Sequence, residues 1–195
     1  MSRDGSATRK KIVDAAWALL ESGNAPGVRM SDIAKRAGVS RQALYLHFPT
    51  RADLLIATTR YLDEVKDVDA LLAPSRNATT GKERLDAFVT AWGNYIPEIY
   101  GVGRALMAMM DHDAEARAAW MDRMQALREG CAAAVAALAR DGDLAGDLDQ
   151  EDATDMLWAA LSVRVWEQLR HDCGWSQTQY VDRMLRTVRK MLLPT

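Results

Sequence analysis

One short segment of the chain concentrates side chains that can bind the edges of base pairs. Arg41, Gln42, Tyr45 and His47 fall within seven residues and offer a guanidinium, an amide, a phenol and an imidazole. Arginine and glutamine match the hydrogen-bonding edges of guanine and adenine in the major groove of DNA. On a helix, the first three of these residues share one face. The segment therefore predicts a helix that inserts into the major groove.

The sequence gives little indication of catalysis, metal binding or phosphate-loop chemistry. The sequence offers no nucleophile–base pair, no metal-ligand spacing and no phosphate-binding loop. Asp111, His112 and Asp113 are candidate metal ligands by type, but three consecutive residues cannot converge from one helix face. We therefore predict no catalytic residue, no metal, no cofactor and no enzymatic activity.

Two short helices joined by a tight turn must position the base-reading side chains. Gly38 can adopt the positive φ that a sharp turn demands. Ile33, Val39, Leu44 and Phe48 supply a small shared core at helical spacing. This arrangement predicts a helix-turn-helix, in which the second helix carries the DNA contacts.

The composition and apolar periodicity of the whole chain predict an all-α fold of about nine helices. We expect the segment 67–80, which contains a proline and several small polar residues, to be a loop. The predicted helices are 8–21, 31–37, 41–48, 51 to beyond 61, 82–100, 103–111, 114–140, 150–171 and 176–193.

The turn and its flanks carry a family resemblance. The segment Ile33-Ala34-x-x-Ala37-Gly38-Val39-Ser40, with Leu44-Tyr45-x-His47-Phe48 and Arg51-x-x-Leu54-Leu55, resembles the TetR family of bacterial regulators. The specific resemblance covers residues 8–56; beyond them it rests on length and helix order. It implies a three-helix helix-turn-helix DNA-binding domain over 1–50. A helical ligand-binding and dimerisation domain would follow over 51–195.

The resemblance also implies a set of DNA contacts. In this chain they fall on Arg29, Ser31, Ser40, Arg41, Gln42, Ala43, Tyr45, His47 and Arg51. Arg51 stands where the family usually has lysine, and it would hold a phosphate at the start of the fourth helix. Arg29 departs from the threonine or serine that caps the second helix in many members. Either Ser31 or water caps that helix instead, or Arg29 contacts a phosphate.

Charge is distributed unevenly along the chain. The net charge is −2, yet the first 55 residues hold nine Lys/Arg against five Asp/Glu, while the remainder holds 16 against 22. A positive end on an acidic body can orient a protein on a polyanion.

The two cysteines lack metal spacing, which favours reduced thiols in a cytoplasmic protein. No apolar run approaches the ~20 residues of a membrane span.

The last two predicted helices carry wide apolar faces. We expect the region of about 150–193 to pair with a second copy as a four-helix bundle, which the resemblance also implies. The alternative is that both faces pack within one monomer. A dimer would present two reading helices to a palindromic operator.

Large aromatic and methionine side chains are concentrated in the middle helices. Such residues line adaptable apolar cavities, although they more often form ordinary core. The candidate ligand-binding residues are Phe88, Trp92, Tyr95, Met107, Met110, Trp120, Met124 and Trp158. With the resemblance, they predict a pocket for a hydrophobic or aromatic small molecule.

These observations predict a ligand-responsive transcriptional regulator. The favoured form is a repressor that binds a palindromic operator as a homodimer and leaves it when a hydrophobic effector binds. The hypothesis requires the effector to favour a DNA-incompetent state, reached by movement of the fourth helix. The alternative is a DNA-binding regulator or activator without a small-molecule ligand.

Overall fold

The structure, a computed structural model, describes residues 3–22 and 28–194, and only the backbone of residues 3 and 4. Every regular element in these residues is helical, which confirms the predicted all-α fold. The helices are α1 Arg3–Glu21, α2 Met30–Ala37, α3 Arg41–His47, α4 Arg51–Val65, α5 Val68–Arg76, α6 Gly81–Met109, α7 Ala114–Asp141, α8 Gln150–Ala160, α9 Val163–Glu167 and α10 Gln177–Leu192. A π-helical segment, Gln168–Asp172, follows α9 directly.

Two predicted boundaries are wrong in the middle of the chain. The expected loop 67–80 contains α5, because the Asp67 side chain accepts a hydrogen bond from the Ala70 N–H and caps a helix that accommodates Pro74. The predicted break after residue 100 is absent, and α6 continues through Gly103. That glycine leaves room for a ring: a Cβ there would lie 3.2 Å from Trp120. The glycine serves close packing instead of ending the helix.

The predicted penultimate helix is interrupted in the structure. The α8 helix ends before Leu161, and the Ser162 side chain caps α9 by accepting from the Val165 N–H at 3.3 Å. The indole Nε1 of Trp92 donates to the Leu161 carbonyl oxygen at 2.7 Å. An acceptor at the helix interruption thereby gains a partner, as buried backbone groups require.

The chain divides into two compact units. Unit 1 comprises Met1–Lys66 and Ile99–Arg123, and unit 2 comprises Asp67–Glu98 and Met124–Thr195. Helices α6 and α7 each contribute residues to both units. These two units are defined by packing alone. The domain boundary between residues 50 and 51, which would separate DNA binding from ligand binding and dimerisation, stays a prediction.

The core of unit 1 forms where α1 meets α2 and α4 and where α2 meets α3. Apolar side chains at helical spacing on α1, α2, α3 and α4 are buried in this core. The parts of α6 and α7 that belong to unit 1 contribute further buried apolar side chains. The largest are Ile12, Leu20, Ile33, Leu44, Phe48, Leu54, Leu55, Leu62 and Leu106. The helix-turn-helix is therefore built onto a continuous apolar core.

The core of unit 2 combines the first half of α6, most of α7, α8, α9 and α10. Leu85, Leu138, Leu157 and Tyr180 are completely buried. The thiol of Cys131 is buried with them, and burial raises its pKa to about 12. Cys131 and Cys173 are both free cysteines.

Gly81, the first residue of α6, lies directly on the backbone of α7. A Cβ there would sit 2.6 Å from the Leu138 nitrogen and 2.7 Å from the Ala137 carbonyl atoms. Backbone cannot move aside as a flexible side chain can, so we expect Gly81→Ala to lower the free energy of unfolding by about 1–3 kcal/mol. Urea denaturation measures this loss. Gly146→Ala is the matched control because open space surrounds that glycine; equal stability of the two variants would contradict the prediction.

Candidate nucleic-acid interface

The turn between α2 and α3 has the geometry that its sequence predicts. Gly38 caps α2 with φ 67° and ψ 32°, a left-handed conformation that glycine adopts without strain. The Val39 N–H donates to the Ala34 carbonyl at 3.0 Å and closes the turn. The hydroxyl of Ser40 accepts from the Ala43 N–H at 3.0 Å and caps α3. Ser40 thus has a structural role as the cap of α3.

Helix α3 presents one continuous face to solvent. The exposed residues are Arg41 and, one, four and five residues after it, Gln42, Tyr45 and Leu46. Leu44 points the other way and is completely buried. Two further predicted contacts, Ala43 and His47, are half-buried at the edges of this face. The exposed face therefore offers two long hydrogen-bonding side chains, a phenol and a leucine.

An open cleft of about 440 Å³ lies beside this face. Its lining includes five of the nine predicted DNA contacts: Arg29, Ser31, Arg41, Tyr45 and Arg51. Val28, Met30 and Asp113 complete the lining. The cleft thus brings residues of α2, α3 and α4 together on one concave surface with Asp113, which is distant from them in sequence.

Arg29 precedes the first residue of α2 and makes no side-chain capping hydrogen bond. Ser31 lies inside the helix instead of capping it. Of the alternatives left open by the sequence, capping by Ser31 is therefore not observed. The exposed Arg29 side chain lines the cleft, where it is available to an anion.

Arg51 is engaged within unit 1. Its Nε donates to the Val28 carbonyl at 2.5 Å, and its Nη1 donates to Asp113 Oδ2 at 2.6 Å. Glu115 adds a second carboxylate 3.6 Å away, and the side chain is only 13% exposed. The guanidinium expected to hold a phosphate is thus paired with a carboxylate from the corner between α6 and α7.

Asp113 is well suited to hold Arg51. Burial raises the pKa of Asp113, but hydrogen bonds from the Ala116 N–H and the Arg51 guanidinium outweigh it and hold the pKa below its usual range. The folded pKa therefore lies below the unfolded value of about 3.9. The ionised pair stabilises the fold above that value, and this stabilisation is lost as pH falls through the folded pKa.

The start of α4 has its own internal caps. Thr50 and Asp53 form a capping box, in which the Asp53 N–H donates to the Thr50 hydroxyl at 3.1 Å. The Ala52 N–H donates to Glu115 at 3.3 Å. A free helix N-terminus offers such backbone donors to a phosphate, but here they have protein partners.

Positive charge predominates in the segment that supplies most of the cleft lining. Residues 28–51 contain a single acidic residue, Asp32, against five cationic side chains: Arg29, Lys35, Arg36, Arg41 and Arg51. The Arg9 guanidinium of α1 lies 4.8 Å from the centre of the Phe48 ring. A surface with this balance of charge attracts a polyanion.

Two residues of this region were missed by the sequence reasoning. Leu46 could have been noticed, because it lies four residues after Gln42 and hence on the same helix face. Asp113 was considered only as a candidate metal ligand, and its pairing with Arg51 carried no local signal because 62 residues separate the two.

The predicted ligand-binding residues are divided between the two units. Met107, Met110 and Trp120 belong to unit 1, whereas Phe88, Trp92, Tyr95, Met124 and Trp158 belong to unit 2. Within unit 2, the Trp158 indole donates to the Met124 carbonyl at 3.1 Å, and the Trp92 and Tyr95 rings lie 6.0 Å apart. Phe88 packs against Gly130, where a Cβ would lie 2.6 Å from the ring. Their role in ligand binding stays a prediction.

Most apolar side chains of the last two predicted helices are covered within unit 2. Leu157, Leu161, Tyr180, Val188 and Leu192 are completely buried. The apolar width of these helices is thus largely used inside one chain. Met156 remains exposed, and Leu185 and Met191 are half-buried. Pairing through this region stays a prediction.

No helix among residues 3–22 and 28–194 is long and apolar enough to cross a membrane. The same residues contain no group of three or more His, Cys, Asp or Glu side chains placed to hold a metal ion.

Residues 12–58 match the family model described as bacterial regulatory proteins, tetR family. The HTH-type transcriptional regulator BetI of Rhizobium meliloti is 39% identical over 82 residues, which cover 42% of this chain and 39% of that protein. The chain spans less than two fifths of the length of the curated relatives that it matches.

Solved structures resemble the fold over almost the whole chain. FadR of Bacillus subtilis, crystallised with stearoyl-CoA, has a TM-score of 0.72 at 17% identity and covers 92% of this chain and 96% of its own. A transcriptional regulator of Saccharomonospora viridis in complex with choline has a TM-score of 0.72 at 20% identity, covering 96% and 98%. At these identities the likeness concerns the fold alone.

The helix-turn-helix geometry and the family match concern the same residues. Ile33, Gly38 and Leu44, which form the turn and its core, all lie within the matched segment. Residues 12–58 thus resemble the bacterial regulatory proteins of the tetR family both in sequence and in the geometry of the helix-turn-helix.

Proposed function

We propose that this protein is a transcriptional regulator that binds a palindromic operator as a homodimer in the cytoplasm. In its favoured form it is a repressor that a hydrophobic small molecule releases from DNA. The observation that carries the proposal is the exposed face of α3 beside the arginine-lined cleft. Arg41 and Gln42 extend from this face, and both side chains suit base edges in the major groove.

Energetics support two copies on one operator. A bidentate side-chain–base pair contributes about 1–3 kcal/mol of discrimination. A specific operator typically requires about 4–10 kcal/mol over non-specific DNA. One seven-residue reading helix offers few such pairs, so two half-sites bring the total into the required range. Sedimentation equilibrium at micromolar concentration tests the dimer, and a stable monomer would overturn it.

The DNA-binding part of the proposal is tested by selection. The full chain is incubated with a pool of randomised duplexes, and bound DNA is amplified and sequenced over several rounds. We expect a palindromic sequence whose half-sites are about one helical turn apart. Recovery of no preferred sequence would contradict the proposal.

The effector part draws support from the solved structures with stearoyl-CoA and with choline. One observation favours the alternative of a regulator without an effector. Phe88, Tyr95 and Met124 are buried, and the indole N–H groups of Trp92 and Trp158 already have backbone partners. These residues can therefore serve as ordinary core.

Thermal denaturation in the presence of stearoyl-CoA or choline distinguishes a regulator with an effector from one without. A rise in melting temperature with stearoyl-CoA or choline, together with release of the selected DNA, favours the effector-responsive regulator. Intact DNA binding without any shift across these probes and a panel of hydrophobic compounds favours the alternative.

We expect Asp113→Asn to strengthen DNA binding. Without the carboxylate charge, Arg51 loses its strongest partner and becomes available to a backbone phosphate. One added phosphate contact per subunit makes log K of the dimer against log salt steeper by about 1.8, equivalent to about a 60-fold gain at 0.1 M relative to 1 M salt. Fluorescence anisotropy with the selected duplex over a salt series measures both quantities.

Asp122→Asn is the matched control for this prediction. Asp122 is also a partly buried carboxylate of unit 1, and it pairs with Arg60 and Arg123, but it does not line the cleft. Equal gains in the two variants would show a general effect of charge and would contradict a specific hold on Arg51.

A further inference from the structure

Leu46 is far more exposed than any other large apolar side chain in the described parts of the chain. It is 80% exposed, against 49% for Val65 and Met121. Leu44 and Phe48 anchor α3 in the core, so the packing of the helix does not require Leu46. Isolated exposed leucines are common on protein surfaces, and exposure alone therefore decides nothing.

The position of Leu46 on the helix is more informative. It lies four residues after Gln42, which places the two side chains side by side on one face, about 5–6 Å apart at Cβ. Arg41 and Tyr45 complete that face. If the face lies against base pairs as proposed above, Leu46 must be covered by DNA as well.

The chemistry of the groove limits what Leu46 can contact. The 5-methyl group of thymine is the one apolar group that base pairs present at the edge of the major groove. A protein partner fits less well, because the cores of protein interfaces are depleted of charged residues, whereas Leu46 adjoins a cation-rich surface. The charge of that surface complements DNA instead.

We propose that Leu46 is a specificity-determining residue that contacts the methyl group of a thymine, in a base pair adjacent to the one contacted by Gln42. The inference rests on the proposed DNA-binding function and deepens it. Burying one methyl group contributes about a fourfold change in affinity per thymine, from about 0.8 kcal/mol. The operator half-site is therefore expected to contain an A·T pair at a fixed position, read by an apolar contact.

Replacement of thymine by deoxyuridine tests the proposal, since it removes the methyl group and leaves base pairing unchanged. The probe is the duplex selected by the wild-type chain, with each thymine replaced in turn and equivalent positions of the two half-sites replaced together. We expect the wild type to lose about fourfold in affinity per thymine at one position of the half-site. Leu46→Ala should bind the thymine and deoxyuridine duplexes equally.

Met121→Ala is the matched control, because it shortens another exposed apolar side chain and should retain the deoxyuridine effect. Circular dichroism confirms folding of each variant, and Leu46→Gln provides a second variant that replaces the apolar side chain by a polar one. Absence of a deoxyuridine effect in the wild type, or an undiminished effect in both Leu46 variants, would overturn the proposal while leaving DNA binding intact. Failure to select any duplex would overturn both proposals.

Discussion

Gln42→Ala and Arg41→Ala are each expected to weaken binding to the selected operator and to relax its sequence preference. Each side chain stands on the exposed face of α3, and each can form a bidentate pair with a purine edge. Loss of such a pair costs about 1–3 kcal/mol per half-site, equivalent to about 5- to 150-fold. Because a homodimer would lose the contact twice, this is the largest functional effect we predict.

The measurement compares affinities for the operator and for duplexes altered at single positions. Arg41→Lys separates charge from base recognition: it keeps the positive charge but lacks the planar fork of donors. We expect it to retain the salt dependence of binding while losing discrimination at one position. Arg76→Ala, which removes an exposed arginine of unit 2, is the control. An unchanged sequence preference in both the Arg41 and Gln42 variants would refute direct recognition by these residues.

Leu44→Ala is expected to lower the free energy of unfolding by about 2–5 kcal/mol. Leu44 is completely buried between α3 and the rest of unit 1, so its loss leaves a cavity under the reading helix. Leu46→Ala makes the same chemical change two residues later, where the side chain is 80% exposed. Its effect on stability should stay within about 0.5 kcal/mol.

Urea denaturation followed by circular dichroism and tryptophan fluorescence provides both values by linear extrapolation. Coincidence of the two signals tests whether a two-state treatment applies to a chain with two compact units. The pair of variants also serves the proposal for Leu46, since a stable Leu46→Ala protein separates recognition of thymine from folding. Equal losses of stability at the two positions would contradict the burial on which both predictions depend.

Local features of the interface could be predicted from the sequence because helix geometry converts spacing directly into position. The Ala37-Gly38-Val39-Ser40 turn needs only a residue that tolerates positive φ and a side chain that caps the next helix. Both requirements are met in the structure, by Gly38 with φ 67° and by the Ser40 hydroxyl. The exposed positions of Arg41 and Gln42 follow from the same periodicity.

Helix boundaries in the middle of the chain were less predictable. Gly103 normally weakens a helix and Pro74 normally ends one. Packing of Gly103 against Trp120, and capping of α5 by Asp67, outweighed these preferences. The contact with Trp120 is not visible in a local window, because the tryptophan is distant in sequence from Gly103. Asp67 lies only three residues before Ala70, so its cap is a local signal, which the proline of the segment outweighed in the prediction.

The sequence by itself determined the reading helix of this protein: its turn, its cap and the side chains on its open face. Only the tertiary structure decided which groups distant in sequence meet. It paired Arg51 with Asp113, and it buried much of the apolar surface of α10 within unit 2. The physical reason is the range of each interaction. Turns and helix faces depend on residues a few positions apart, whereas ion pairs and burial depend on segments that only folding brings together.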